Sequence, residues 1–388
     1  MEHGGDIYGN KNIELDFSVN LSPIGPPEEV VQEIRSISGD GLQKLIMSYP
    51  DPAYRELRHA LARKLESPDE WIVCGNGASE LLMAAAQAVR PGLAMIPVPT
   101  YQGYERVLEA AGAEILFYEL TREQGFALTG EFMESAEGIR RLAETRAETG
   151  WNSESGVESE SEPAAEAAVK SESGTMLFLC NPNNPSGKCI EPALLKEIAQ
   201  YCKANRIFLV VDECYLELLA DARFRTMRHN LAENPYLIIV GAFTKTYAMP
   251  GIRLGYLLTS NSELRGKIRL RQPEWSISMT AQRAGIAALD ASDYLGEARQ
   301  AVQAEREYFG RELRELGMDV MEGEAPFVMF RSEKELYEPL KEKGILIRRC
   351  DGIRGVRGGS EGGYYYRIGL RSHEDNRRLM KEISTLLR

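Results

Sequence analysis

The chain has 388 residues, 43% of them apolar, with a formal net charge of −12 at pH 7. That exceeds the ~100–200 residues of one usual core, so two domains are expected. The acidic balance argues against a nucleic-acid partner, whose phosphates it would repel.

No apolar run approaches the ~18 residues of a membrane span, and the opening residues are too polar for a secretory leader. Cys74, Cys180, Cys189, Cys202, Cys214 and Cys350 show no CxxC spacing. They read as reduced thiols of a cytoplasmic protein, not as a disulfide framework or a zinc site.

The chain opens with His3-Gly4-Gly5, turns strand-like at Leu15-Asp16-Phe17-Ser18, and continues into the turn-rich Asn20-Leu21-Ser22-Pro23-Ile24-Gly25-Pro26. This reads as an arm and not as a core element. Taken alone, His3 is an ordinary surface residue. Tyr49-Pro50-Asp51-Pro52 is a turn feeding a helix over 53–66, with Leu57, Ala60, Leu61 and Leu65 at helical spacing.

A short strand over 71–74 then meets Gly75-Asn76-Gly77-Ala78-Ser79-Glu80, which opens a helix through Val89. Glycines at a strand-to-helix turn expose backbone N–H groups, and the helix N-terminus adds partial positive charge, so the turn can cradle a phosphate. A dinucleotide fingerprint would need a third glycine where Glu80 stands. A plain helix start is the other reading.

An apolar strand over 94–98 is followed by Pro99-Thr100-Tyr101-Gln102-Gly103-Tyr104, and an aromatic there can stack on a planar ring. A strand over 114–120 and a charged helix over 129–149 come next. Residues 151–174 depart in composition, with six Glu, one Lys and many Ser and Ala. So little apolar surface cannot offset the entropy of ordering, and an exposed insertion without chemistry is expected.

The strand over 176–180 delivers Asn181-Pro182-Asn183-Asn184-Pro185-Ser186-Gly187-Lys188, where two prolines preclude a helix. A helix over 192–205 crosses to a strand over 207–211 that ends in Asp212-Glu213-Cys214-Tyr215. A nucleotidase would need GxxxxGK[ST], and Gly187-Lys188 is followed by Cys189 with no glycine five residues earlier, so that reading fails. A carboxylate buried at such a strand end is costly without a cationic partner.

The apolar run 237–240 leads into Ala242-Phe243-Thr244-Lys245-Thr246, with Arg253 eight residues beyond the lysine. A lysine at the end of a buried strand, beside hydroxyls and an arginine, suits an amine that condenses with an aldehyde near a phosphate. Helical stretches over 264–271 and 280–316 follow. Short strands over 318–321, 327–330, 345–348 and 365–370 alternate with helices over 333–343 and 374–387, the pattern of a small α/β domain. Arg348, Arg367 and Arg371 lie there, and the arginine fork matches carboxylate and phosphate oxygens.

Together these segments resemble the fold-type I pyridoxal-phosphate enzymes, the large aminotransferase family, over nearly the whole chain apart from 151–174. The resemblance implies an α/β fold with a mostly parallel central sheet: an arm over 1–45 joining a small domain, a large cofactor-binding domain over 46–262, and the small domain over 263–388. It implies pyridoxal 5'-phosphate held covalently by Lys245, with Ala78, Ser79, Thr244 and Arg253 on its phosphate. Many members carry Ser or Thr where this chain has Ala242.

By the same resemblance Tyr101 stacks on the ring (Tyr104 is the other aromatic in range), Asn184 and Tyr215 reach its phenolic oxygen, and Asp212 faces its nitrogen. Lys245, Asp212 and Tyr101 are the expected catalytic residues, and Tyr49 is expected to reach the neighbouring site of a homodimer. His3, Gly5, Asn20, Asn184, Arg348 and Arg371 are the expected substrate contacts, Arg371 taking the carboxylate and Arg367 serving as a salt-bridging strand residue. No metal is implied.

Within the family the likeness is to histidinol-phosphate aminotransferases and threonine-phosphate decarboxylases. His3-Gly4-Gly5, Pro273-Glu274-Trp275-Ser276, 345–350 and 368–372 tilt it toward the decarboxylases, while Ser278 stands where these usually carry Asn. A catalytically silent protein of the same fold is the reading from another class. Retention of Lys245, Asp212, Asn184 and Arg253 together argues against it.

Overall fold

The computed structural model describes residues 4–9, 12–37, 42–135, 137–148, 174–358 and 362–388. His3 and the expected insertion over 151–174, except Gly174, lie outside the described residues.

Seven strands form the central sheet: β2 (Ile72–Gly75), β3 (Pro91–Val98), β4 (Glu114–Glu119), β5 (Gly174–Cys180), β6 (Phe208–Asp212), β7 (Leu237–Ala242) and β8 (Gly255–Leu258), in the spatial order β2-β8-β7-β6-β5-β3-β4. The pairs from β7 to β4 are parallel, and β8 runs antiparallel to both its neighbours. The sequence expectation of a mostly parallel α/β sheet is met.

Alternating residues explain why these runs are almost wholly apolar. On β6, Leu209 and Val211 enter one buried cluster and Val210 the other; on β7, Leu237 and Ile239 oppose Ile238 and Val240. Both faces are therefore covered, as crossover helices such as Ala78–Val89 and Pro192–Ala204 require of a parallel sheet.

A second sheet has four antiparallel strands in the order β12-β13-β10-β9: β9 (Asp319–Met321), β10 (Phe327–Ser332), β12 (Arg348–Arg349) and β13 (Tyr364–Gly369). The run expected as one strand over 345–348 is split. Its first half, β11 (Ile345–Leu346), leaves that sheet and pairs in parallel with β1 (Leu15–Asp16) of the N-terminal arm. The arm is held further by Phe17, whose N–H donates to Leu346 and whose carbonyl accepts from Gly369, both backbone to backbone.

The pattern over 280–316 resolves into two helices, Met279–Asp290 and Tyr294–Glu315. The charged stretch over 129–149 gives Glu131–Glu134 and Ile139–Glu148. Among the described residues no helix is long and apolar enough to cross a membrane.

Candidate active site

The parallel strands end on one edge of the central sheet, and the chemistry-bearing segments follow those ends. A ligand crevice at the carboxyl ends of the strands is the expected site of such a sheet. Here it is a cavity of about 380 Å³ bordered by Ala78, Ser79, Tyr101, Asn184, Asp212, Tyr215, Thr244, Lys245 and Arg253, with Asn20 from the arm and Arg348 from the second sheet.

Lys245 sits in the one-turn helix Phe243–Thr246, directly after β7. Burial lowers its ammonium to about 8, and the charges of Arg367 and Arg253 push the same way against the opposing pull of Cys214 and Asp212. A lysine so placed carries a useful neutral fraction near neutrality.

Asp212, at the end of β6, is 7% exposed. One carboxylate oxygen accepts from the Tyr104 hydroxyl at 2.7 Å, the other from the Cys214 backbone N–H at 3.0 Å. Among the described residues no cation pairs with it, and a buried carboxylate of that kind calls for one.

At the opposite end, the helix Ala78–Val89 starts with no side chain capping its first N–H groups. Gly77 has φ 79°, and a Cβ there would stand 2.6 Å from a terminal nitrogen of Arg253. Only glycine lets the guanidinium lie against the helix start. Arginine charge, uncapped N–H groups and helix dipole thus converge on one spot suited to a phosphate.

Between these ends, Tyr215 accepts from Asn20 Nδ2 at 3.2 Å, while Asn20 Oδ1 is buried without a partner. Asn184 accepts from Arg367 through Oδ1, which leaves its amide N–H groups for the cavity. Tyr101 borders the cavity and meets Tyr104 edge-on at 5.3 Å. Tyr104 is fully buried and does not border the cavity, so Tyr101 is the one of the two aromatics that a planar ring there could meet.

Pyridoxal 5'-phosphate fits this donor set end to end. An uncapped, arginine-covered helix start suits its phosphate, an unpaired buried carboxylate its ring nitrogen, and a partly neutral lysine its aldehyde.

Three sequence expectations are corrected. Arg371 does not border the cavity: it lies past the end of β13, and its Nε and Nη2 both donate to the Asp16 carbonyl of the arm. Arg367, expected to be a salt-bridging strand residue, has no carboxylate partner among the described residues. It is 7% exposed, borders the cavity, and donates to Asn184 and, at 2.7 Å, to the Ser18 carbonyl, with Nε unpartnered. Gly5 does not border the cavity, and its N–H donates to Ser18 Oγ at 2.7 Å; Gly4 borders the cavity instead.

Tyr49 is 78% exposed, packs its ring on Trp275 with centroids 4.8 Å apart, and does not reach the cavity of its own chain. Tyr104, Gln102, Cys180 and Cys214 complete the site without having been singled out for these places. Tyr104 had a usable signal, since a fully buried hydroxyl at a strand end demands an acceptor.

The sequence model of the aminotransferase class I and II family matches residues 12–383. The chain is 32% identical to a threonine-phosphate decarboxylase of Salmonella typhimurium, over 99% of this chain and 96% of that one. It is 28% identical to a histidinol-phosphate aminotransferase of Symbiobacterium thermophilum, over 96% and 90% respectively. Its fold superposes on the crystal structure of histidinol-phosphate aminotransferase from Clostridium acetobutylicum with a TM-score of 0.78 and 26% identity, covering 96% of this chain and 99% of that one. Family match, fold and donor set agree, and the chain belongs to the class I and II aminotransferase family of pyridoxal-phosphate enzymes.

Proposed function

We propose that the chain decarboxylates L-threonine O-3-phosphate to 1-amino-2-propanol O-phosphate, a step of cobalamin biosynthesis. The observation that carries this reading is a pair of arginines. β12 and β13 set Arg348 directly opposite Arg367, both border the cavity, and neither has a carboxylate partner among the described residues. Two arginines without counter-charges suit a substrate that brings two anionic groups. The 32% identity to a threonine-phosphate decarboxylase supports the same reading.

Pyridoxal 5'-phosphate, when bound, supplies an electron sink for whichever Cα bond stands perpendicular to its ring. Asp212, whose two oxygens accept from the Tyr104 hydroxyl and the Cys214 backbone N–H, would hold the ring nitrogen of that group. Tyr101 and Ala78 border the same cavity. Arg348 would take the substrate phosphate and Arg367 its carboxylate, which fixes the orientation of the substrate between them. The Lys245 amine, partly protonated near its pKa of about 8, returns a proton to Cα after CO₂ departs. Orientation by two arginines is worth several kcal/mol, enough to favour one bond over its neighbour.

The second reading is phospho-amino-acid transamination, favoured by the 28% identity to a histidinol-phosphate aminotransferase. There the Lys245 amine would remove the Cα proton of the substrate instead of returning one.

We further propose a homodimer in which Tyr49 reaches the neighbouring cofactor phosphate. The helix Leu42–Met47 buries none of its residues, and Ile46, Met47 and Tyr49 are 71%, 77% and 78% exposed, an apolar surface that a second copy would cover.

The test is CO₂ release from L-threonine O-3-phosphate with added pyridoxal 5'-phosphate and no keto acid. Release supports the decarboxylase. No release, with glutamate formed from histidinol phosphate and 2-oxoglutarate, would move the chain to the aminotransferase reading.

A further inference from the structure

We infer that Gln102 is a positioning residue for Arg348, holding its guanidinium toward the cavity and tying it to the loop over 350–358. The inference rests on the reading of Arg348 as the residue that takes the substrate phosphate.

Gln102 borders the cavity at the start of the helix Gly103–Ala110, so its backbone is fixed by the edge of the central sheet. Both ends of its amide are engaged across the gap to the second sheet. Oε1 accepts from Arg348 Nη2 at 3.4 Å, and Nε2 donates to the Gly352 carbonyl at 3.2 Å.

Gly352 belongs to the loop between β12 and β13, and that loop is clamped onto the central sheet. Arg354 pairs with Glu105 and lies 4.1 Å from the Phe117 ring centroid, and Arg357 donates to Glu119 at 2.8 Å. Gly355, at φ 86°, approaches so closely that a Cβ would stand 2.8 Å from the Pro99 nitrogen. Ile353 of the same loop borders the cavity.

A neutral amide is the fitting partner for this task. An arginine without a carboxylate would otherwise sample many rotamers, at ~2 kcal/mol of side-chain entropy to fix. A glutamate in place of Gln102 would fix it too, but would neutralise the charge and compete with the phosphate. An amide oxygen orients the guanidinium and leaves its charge available.

The test uses the holoenzyme, whose cofactor fills the helix-start anion site, and inorganic phosphate as the probe by titration calorimetry. Arg348→Ala should weaken phosphate binding more than tenfold. Gln102→Met should weaken it about 3–10-fold, the loss of one modest hydrogen bond, and should add nothing in the Arg348→Ala background. Arg354→Met, which loosens the loop without touching Arg348, should leave it within about twofold. In turnover of L-threonine O-3-phosphate the Gln102→Met loss should fall on KM; Gln102→Asn, too short to span both partners, serves if the methionine variant does not fold.

Unchanged affinity in Gln102→Met beside a loss in Arg348→Ala would overturn the positioning role and leave the phosphate reading standing. So would a Gln102 effect that persists without Arg348, an Arg354→Met loss of equal size, or a loss confined to kcat. Unchanged affinity in Arg348→Ala would remove the phosphate reading and the inference with it.

Discussion

Replacing Arg367 by methionine separates the carboxylate role from the alternatives most sharply. Arg367 is 7% exposed, borders the cavity, and donates to Asn184 and to the Ser18 carbonyl, with its buried Nε unpartnered. A substrate carboxylate bound there gains charge-assisted hydrogen bonds of about 1.5–3 kcal/mol each. Losing a net ~3 kcal/mol lowers kcat/KM by roughly two orders of magnitude.

Two further readouts follow from the same change. The Asn184 and Ser18 oxygens lose a buried donor, which costs about 1–3 kcal/mol of stability each at most, visible in urea unfolding. Arg367 is also the largest charge depressing Lys245, so the lysine should titrate above its present value of about 8. Steady-state kinetics, unfolding and the pH dependence of cofactor capture are therefore measured together. Arg371→Met, which removes donors from a backbone carbonyl of the arm only, should cost stability and leave kcat/KM within a few-fold. If Arg371→Met were the crippled enzyme and Arg367→Met turned over normally, the assignment argued from cavity geometry would be wrong.

Asp212→Asn keeps the shape of the carboxylate but not its charge. An opposite charge at this range moves a pKa by about 1–3 units, or ~1.4–4 kcal/mol, so activity should fall 10- to 1,000-fold; activity within twofold of the parent would argue against Asp212 as the ring-nitrogen partner. For Lys245 the folded-state value of about 8 lies below its ordinary 10.5. Only the neutral amine attacks an aldehyde, so cofactor capture by the apoprotein should quicken up to about pH 8 and then level, whereas a rise continuing to pH 10 would contradict the depression. The same shift should make the apoprotein more stable as pH rises from about 8 to 10.5, because the unfolded chain then holds a proton the folded one has lost; Lys245→Met should lack that slope in urea titrations. Mixing the inactive Lys245→Ala protein with a Tyr49→Ala protein should restore about a quarter of native activity if Tyr49 serves the neighbouring site of a two-fold dimer. No recovery after subunit exchange would rule that arrangement out.

The sequence by itself determined the central sheet and the order of its functional segments. β5, β6 and β7 are apolar without interruption because both faces of a parallel sheet are covered, and that run makes each strand legible. Once the strands are parallel neighbours, their carboxyl ends share one edge, so Asn184, Asp212 and Lys245 meet although the first and last are 61 positions apart in the chain. The glycine turn before Ala78 was equally legible, since its chemistry is local.

Tertiary structure decided what depends on contacts between distant segments. Arg367 and Arg371 are both arginines near the end of one strand, and nothing in their neighbours in sequence separates them. The separation comes from β13 ending at Gly369 and from the arm, whose Asp16 carbonyl captures Arg371 while its Ser18 carbonyl steers Arg367 to the cavity. The split of 345–349 between two sheets has the same origin, because β1 pairs with Ile345–Leu346 and frees Arg348 to face Arg367. Gln102 acquires its place only when the loop over 350–358 folds back on the central sheet, a closure no local pattern encodes.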